Sequence, residues 1–110
     1  GLVTALNNLG AVLVRMGRLR QAEQILDKCC TLEEQLEDSA GLATTWHNLG
    51  RLAEIQGMPD RARHGYRRSL ELFQALGWSA DVEREAAALQ RLDPRRAGPV
   101  PEGDGAPEGR

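Results

Sequence analysis

The chain repeats itself at an offset of 40 residues. Gly1-Leu-Val-Thr-Ala-Leu-Asn-Asn-Leu-Gly10 lies over Gly41-Leu-Ala-Thr-Thr-Trp-His-Asn-Leu-Gly50. Farther along, Gly17 lies over Gly57, Ala22 over Ala62, Leu32 over Leu72, Leu36 over Leu76, and Ser39-Ala40 over Ser79-Ala80. Most of these coincidences are small or apolar residues, the ones that packing selects. A unit of this length cannot enclose a core alone, so it buries its apolar face against its neighbours, as in a solenoid. Such an architecture offers an extended binding surface in place of an enclosed active site.

The apolar spacing within each unit is helical. Leu2, Leu6, Leu9, Leu13 and Met16 form one stripe at steps of three and four, and Ala22, Ile25, Leu26, Cys29 and Leu36 form a second. Unit two repeats this with Leu42, Trp46, Leu49 and Ala53, then with Ala62, Tyr66, Ser69, Leu70, Phe73 and Leu76. Val82, Ala86, Leu89 and Leu92 mark a fifth, shorter helix. No stretch alternates with a period of two, so no strand is expected. Gly17 and Gly57 stand where a left-handed residue ends a helix. Pro59 stands at the first position of the next helix, and Asp38, Ser39 and Ser79 offer capping oxygens. These signals predict an all-α chain with helices near 2–16, 19–37, 40–56, 59–76 and 80–92. The repeat domain is then 1–92, with units 1–40 and 41–80 and a capping helix over 80–92.

Composition changes after Leu92. Pro94, Pro99, Pro101 and Pro107 alternate with Gly98, Gly103, Gly105, Gly109 and acidic residues. A segment of this kind buries too little apolar area to offset its ordering entropy, so 93–110 reads as a disordered tail or linker. The chain opens at Gly1, on the first residue of a unit, which suggests a piece of a longer polypeptide.

Several classes of function find no support. A formal net charge of −2 across 110 residues supplies no field to gather nucleic acid or acidic membrane. No apolar run approaches the ~20 residues that cross a bilayer. Cys29 and Cys30 are adjacent and point about 100° apart on a helix, poorly placed to bridge. Cys29 falls in the apolar stripe as a packing residue, and the lack of a disulfide framework favours a reducing, cytoplasmic compartment. His47 and His64 stand at no metal-ligand spacing from them. There is no phosphate loop and no nucleophile elbow. Glu33-Glu34 reads as a solvated pair on an exposed helix face, and Arg61, Arg63, Arg67 and Arg68 as a solvated convex surface. Neither an enzyme nor a cofactor protein is expected.

The offsets that recur resemble the tetratricopeptide repeat, in its long-helix form. In unit one they fall on Leu6, Leu9-Gly10, Gly17, Ala22, Leu26 and Cys29; in unit two on Trp46, Leu49-Gly50, Gly57, Ala62, Tyr66 and Ser69. The residues make physical sense at those offsets. A mid-helix glycine costs about 1 kcal/mol relative to alanine, so Gly10 and Gly50 call for a packing reason. Close approach of the partner helix at Ala22 and Ala62 is one. Trp46 and Tyr66 are expected to fill the wedge between the helices of unit two. The fifth helix lacks the glycine, with Gln90 aligned to Gly50, and Glu83, Arg84 and Arg91 face away from its apolar side as on a terminal cap. No cap precedes Leu2.

The resemblance implies that the first helices of successive units line a concave groove. Its positions here are Thr4, Asn7, Asn8, Ala11 and Arg15, then Thr44, His47, Asn48, Arg51 and Glu54. Asn8 and Asn48 are equivalent. In long-repeat relatives such an asparagine holds a bound peptide's backbone, because its amide both donates and accepts; alternatively both bond within or between helices. Arg15 and Arg51 are suited to acidic groups on a ligand. The implied function is protein–protein interaction, with a peptide or a neighbouring domain as partner. The phrasing of residues 67–77 and 47–53 is similar to repeats at the C-terminus of bacterial signal-transduction ATPases and transcription activators. A rival is a structural role, in which the uncapped first helix stacks on another chain.

Overall fold

A computed structural model describes residues 1–97. Six helices follow one another there, with no strand among the described residues: α1 (Leu2–Arg15), α2 (Leu19–Gln35), α3 (Ser39–Ile55), α4 (Pro59–Leu76), α5 (Ser79–Arg91) and the single turn α6 (Pro94–Ala97). The five expected helices stand within two residues of their expected bounds. The sixth was not expected: the stretch read as tail from residue 93 begins with one further turn. Asp93 starts it, its carboxylate accepting the Arg95 backbone N–H at 2.9 Å, and Pro94 takes the first position, where a missing N–H costs nothing. Residues 98–110 of the expected tail lie outside the described residues.

One loop geometry joins all the long helices and sets the solenoid's repeat. After α1 the Gly17 N–H reaches Val14 O at 3.1 Å and the Arg18 N–H reaches Leu13 O at 2.9 Å. This double bond satisfies carbonyls that a helix end would otherwise leave free. The same pair of bonds recurs at Glu37/Asp38, Gly57/Met58 and Gly77/Trp78. The turn requires a left-handed residue, and Gly17, Gly57 and Gly77 take φ of 78°, 75° and 74°. After α2 the same place is held by Glu37, at φ 55°. Helix starts are less uniform. Asp38 caps α3 by accepting from the Gly41 N–H at 3.0 Å, whereas Ser79 lies inside α5, whose N-cap is Trp78 with no side-chain bond.

Consecutive helices pack on each other, and α1 also touches α3. One apolar cluster joins Val14, Ala22 and Leu26 of unit one to Leu52 of α3. The other joins Ala53, Ala62 and Tyr66 of unit two to Ala88 of α5. Each cluster therefore needs the first helix of the next element to close it. A side chain the size of Leu26 or Phe73, both fully buried, contributes roughly 1.5–3 kcal/mol.

The glycine contacts differ in detail from expectation. A Cβ on Gly10 would strike Leu26, and one on Gly50 would meet the Tyr66 ring at 3.0 Å; Ala22 and Ala62 are buried, but neither is the contact. The closest backbone approach belongs to Gly65, where a Cβ would stand 2.8 Å from Gly50 N and 2.9 Å from Gly50 Cα. Tyr66 is buried in the wedge of unit two, its ring against Gly50. Trp46 sits half-buried, edge-on to His64 with ring centroids 5.3 Å apart.

Candidate peptide-binding groove

Helices α1, α3 and α5 supply one face of the solenoid, and polar side chains tie them together. At the junction of α1 and α3, Asn48 Nδ2 donates to Asn7 Oδ1 at 2.8 Å, and Asn7 Nδ2 donates to Thr45 Oγ1 at 2.9 Å. Thr45 in turn donates to Glu33 Oε1 of α2 at 2.7 Å. All four residues are buried. Burial pushes the Glu33 carboxyl above its usual range, with the Thr45 hydrogen bond opposing and the neighbouring Asp38 adding to the rise. Glu33 is thus not the solvated residue its pairing with Glu34 implied; only Glu34 is exposed. The repeat itself carried the signal, because the residue 40 positions on is Phe73, another inward position.

At the junction of α3 and α5 the same register is used with different chemistry. His47 and Glu85, the counterparts of Asn7 and Thr45, meet with His47 Nδ1 2.9 Å from the carboxylate. Burial, the largest single influence on Glu85, would raise its carboxyl. The hydrogen bonds from His47 and Arg84 together outweigh burial and hold it below the usual range. About two turns further along, Glu54 accepts from Tyr66 Oη at 2.8 Å and pairs with Arg91. The Arg91 hydrogen bond is the main cause that lowers Glu54, whereas burial first and then Glu54 raise the Tyr66 phenol against the opposing pull of Arg91.

Between α3 and α5 these residues frame a cleft of about 520 Å³, lined by His47, Arg51, Glu54, Arg84, Ala87 and Arg91 among others. Arg51 joins no ion pair among the described residues, while Arg84 and Arg91 are shared with the carboxylates. The cleft is therefore bordered by three guanidinium groups and suited to anionic groups and backbone carbonyls.

The expected groove positions divide between this cleft and its surroundings. His47, Arg51 and Glu54 line it. Thr4, Asn8, Arg15 and Thr44 lie exposed on α1 and α3. Asn48 is 9% exposed and already bonded to Asn7, so the two aligned asparagines stand in unlike surroundings. Arg84 and Arg91, expected opposite the apolar side of the cap, are exposed there and border the cleft, paired with Glu85 of α5 and Glu54 of α3.

A solenoid of helical hairpins nested through glycine contacts, with an ordered polar face on its first helices, defines a repeat scaffold. The sequence pattern of the tetratricopeptide repeat matches residues 1–75, and the chain belongs to that family. No curated protein and no solved structure matches the chain. Proteins of the family are non-catalytic scaffolds that mediate protein–protein interaction, and no described helix is long and apolar enough to cross a membrane.

Proposed function

We propose that the chain is a protein-interaction module that takes up a peptide or a neighbouring domain along the α1/α3/α5 face. The observation that carries this reading is the cleft bordered by Arg51, Arg84 and Arg91. The ligand presents acidic side chains to Arg51 and Arg15 and backbone to the asparagine amides, with Thr4, Thr44 and His47 at the edges. Asn8 is the amide free to do so; Asn48 does so through groups its bond to Asn7 leaves over. The wording of residues 67–77 and 47–53 supports a setting in a larger, cytoplasmic bacterial regulator, where the module reports the partner's presence to an effector.

The test begins with peptides selected from a display library against the folded chain. Their affinity is then compared, by calorimetry, for the parent and for an Asn8→Ala, Arg51→Ala double variant. A loss of about tenfold or more is expected, since charge-assisted hydrogen bonds are among the stronger contacts. Unchanged affinity places recognition elsewhere.

A second reading draws on α1. Leu2 is 73% exposed, whereas its counterpart Leu42 is 8% exposed; Val12 and Leu52 differ in the same way. In unit two that face is covered by the preceding unit. Stacking of a further unit, from this or another chain, covers it in unit one. Light scattering of the parent and of Leu2→Glu distinguishes an associating chain, dispersed by the charge, from a monomer in both forms.

A further inference from the structure

On the opposite side from the groove, α2 and α4 both pack on α3 but meet each other only at their rims, where Arg61 pairs with Glu23 at 3.3 Å. The gap between them is a cleft of about 470 Å³. Its floor is apolar: Trp46, Leu49, Leu52 and Ala53 of α3. Trp46 to Gln56, both lining it, span about 15 Å at the helical rise. That is long and shallow, a shape for a chain segment and not for a compact metabolite.

One wall of this cleft carries unmatched charge. Asp27 and Glu34 line it from α2, exposed and without an ion-pair partner among the described residues. The cations nearby are otherwise engaged. Arg61 is held by Glu23, the Arg68 guanidinium lies over the Trp46 ring at 5.8 Å and pairs with Glu71, and His64 abuts the same ring. Cys30, between the two carboxylates, has its thiol pushed up to about 12, by burial first and then by the surrounding acids. The Trp46 indole N–H is buried and finds no acceptor among the described residues, although buried indoles usually have one.

We propose that this cleft is a second recognition site, for a protein segment that sets apolar side chains against Trp46 and Leu49 and basic side chains against Asp27 and Glu34. Seven residues of helix separate the two carboxylates, roughly 10 Å. The matching segment therefore carries its two bases about that far apart, with its apolar residues between them. Charge divides the two faces of the solenoid: the groove takes acidic ligands, the outer cleft basic ones. The proposal stands on residues the groove does not use, so either reading can fail without the other.

The probe is a synthetic amphipathic helix with lysines seven residues apart and leucines three and four residues after the first. Its counterpart carries glutamates in place of the lysines. A Trp78→Phe background, which keeps an aromatic ring on Phe73, leaves Trp46 as the reporting fluorophore. The lysine peptide is expected to shift Trp46 emission saturably, and the glutamate peptide to leave it unchanged. Asp27→Asn with Glu34→Gln, which removes charge and keeps shape on two exposed side chains, is expected to weaken binding roughly tenfold, with an unchanged helical circular dichroism spectrum. The proposal is overturned by equal response to both peptides, by full affinity in the double variant, or by the absence of any Trp46 response to the lysine peptide.

Discussion

Asn48 of α3 donates its side-chain amide to Asn7 of α1 at 2.8 Å, locking the first helices of the two units together. Asn7 passes the connection to Thr45 and thence to Glu33 of α2, so three helices share one buried polar chain. Removing Asn48 leaves the Asn7 carbonyl buried and unmatched, a loss of about 1–3 kcal/mol. Asn8, its counterpart by repeat, is exposed and joins no such chain. Urea denaturation of the single variants is expected to show Asn48→Ala destabilised on that scale and Asn8→Ala within about 0.5 kcal/mol of the parent. Equal losses would contradict the asymmetry.

Gly65 and Gly10 make a second contrast. An alanine at 65 would set its Cβ against the Gly50 backbone, which cannot yield without parting α3 from α4. At position 10 the obstruction is the Leu26 side chain, which can shift, and helix propensity returns up to about 1 kcal/mol. Gly65→Ala is expected to cost about 1–3 kcal/mol, the range of an overpacked core. Gly10→Ala is expected to cost less. Thermal melts of the two variants decide the order.

Glu37 holds a left-handed conformation in a loop where the other three turns use glycine. Glycine reaches that conformation without the Cβ penalty. Glu37→Gly is expected to stabilise the chain by about 0.5–1 kcal/mol, net of the entropy glycine adds to the unfolded state. A lower denaturation midpoint would contradict this.

The two buried carboxylates respond oppositely to pH. Glu33 has its folded value raised, so the folded state binds the extra proton; its contribution is fully present below the unfolded value and declines as pH rises through the folded one. Glu85 has its folded value lowered, so its contribution is present above the unfolded value and is lost as pH falls through the folded one. Glu33→Gln is therefore expected to be more stable than the parent at pH 7, with the difference closing in acid. Glu85→Gln is expected to be less stable at pH 7, with its difference also narrowing in acid. Chemical denaturation across pH 3–8 measures both.

The helices, their turns and the family were legible because they rest on local rules. Gly17 and Gly57 end helices by their own conformation, and Leu26 and Tyr66 fall inward by spacing alone. What the sequence left hidden depends on partners contributed by other helices. Glu33 looks solvated beside Glu34 until α3 brings Thr45 onto it. Gly65 is an unremarked glycine until Gly50 backs against it. Arg84 and Arg91 read from sequence as the polar side of a cap, and only the packing of α5 on α3 shows that this side borders a cleft beside Glu85 and Glu54. The alignment of Asn8 with Asn48 transfers a position along the chain, and it cannot transfer the surroundings: Asn48 bonds to Asn7 of α1, whereas Asn8 is exposed and meets no such partner among the described residues.

The α1/α3/α5 face as the recognition surface is tested most directly by amide chemical-shift mapping with a library-selected acidic peptide. Shifts are expected to gather around Asn8, His47, Arg51 and Arg91, leaving the α2–α4 cleft at Asp27 and Glu34 unmoved. Shifts confined to α2 and α4, with the residues around Arg51 silent, would contradict the account.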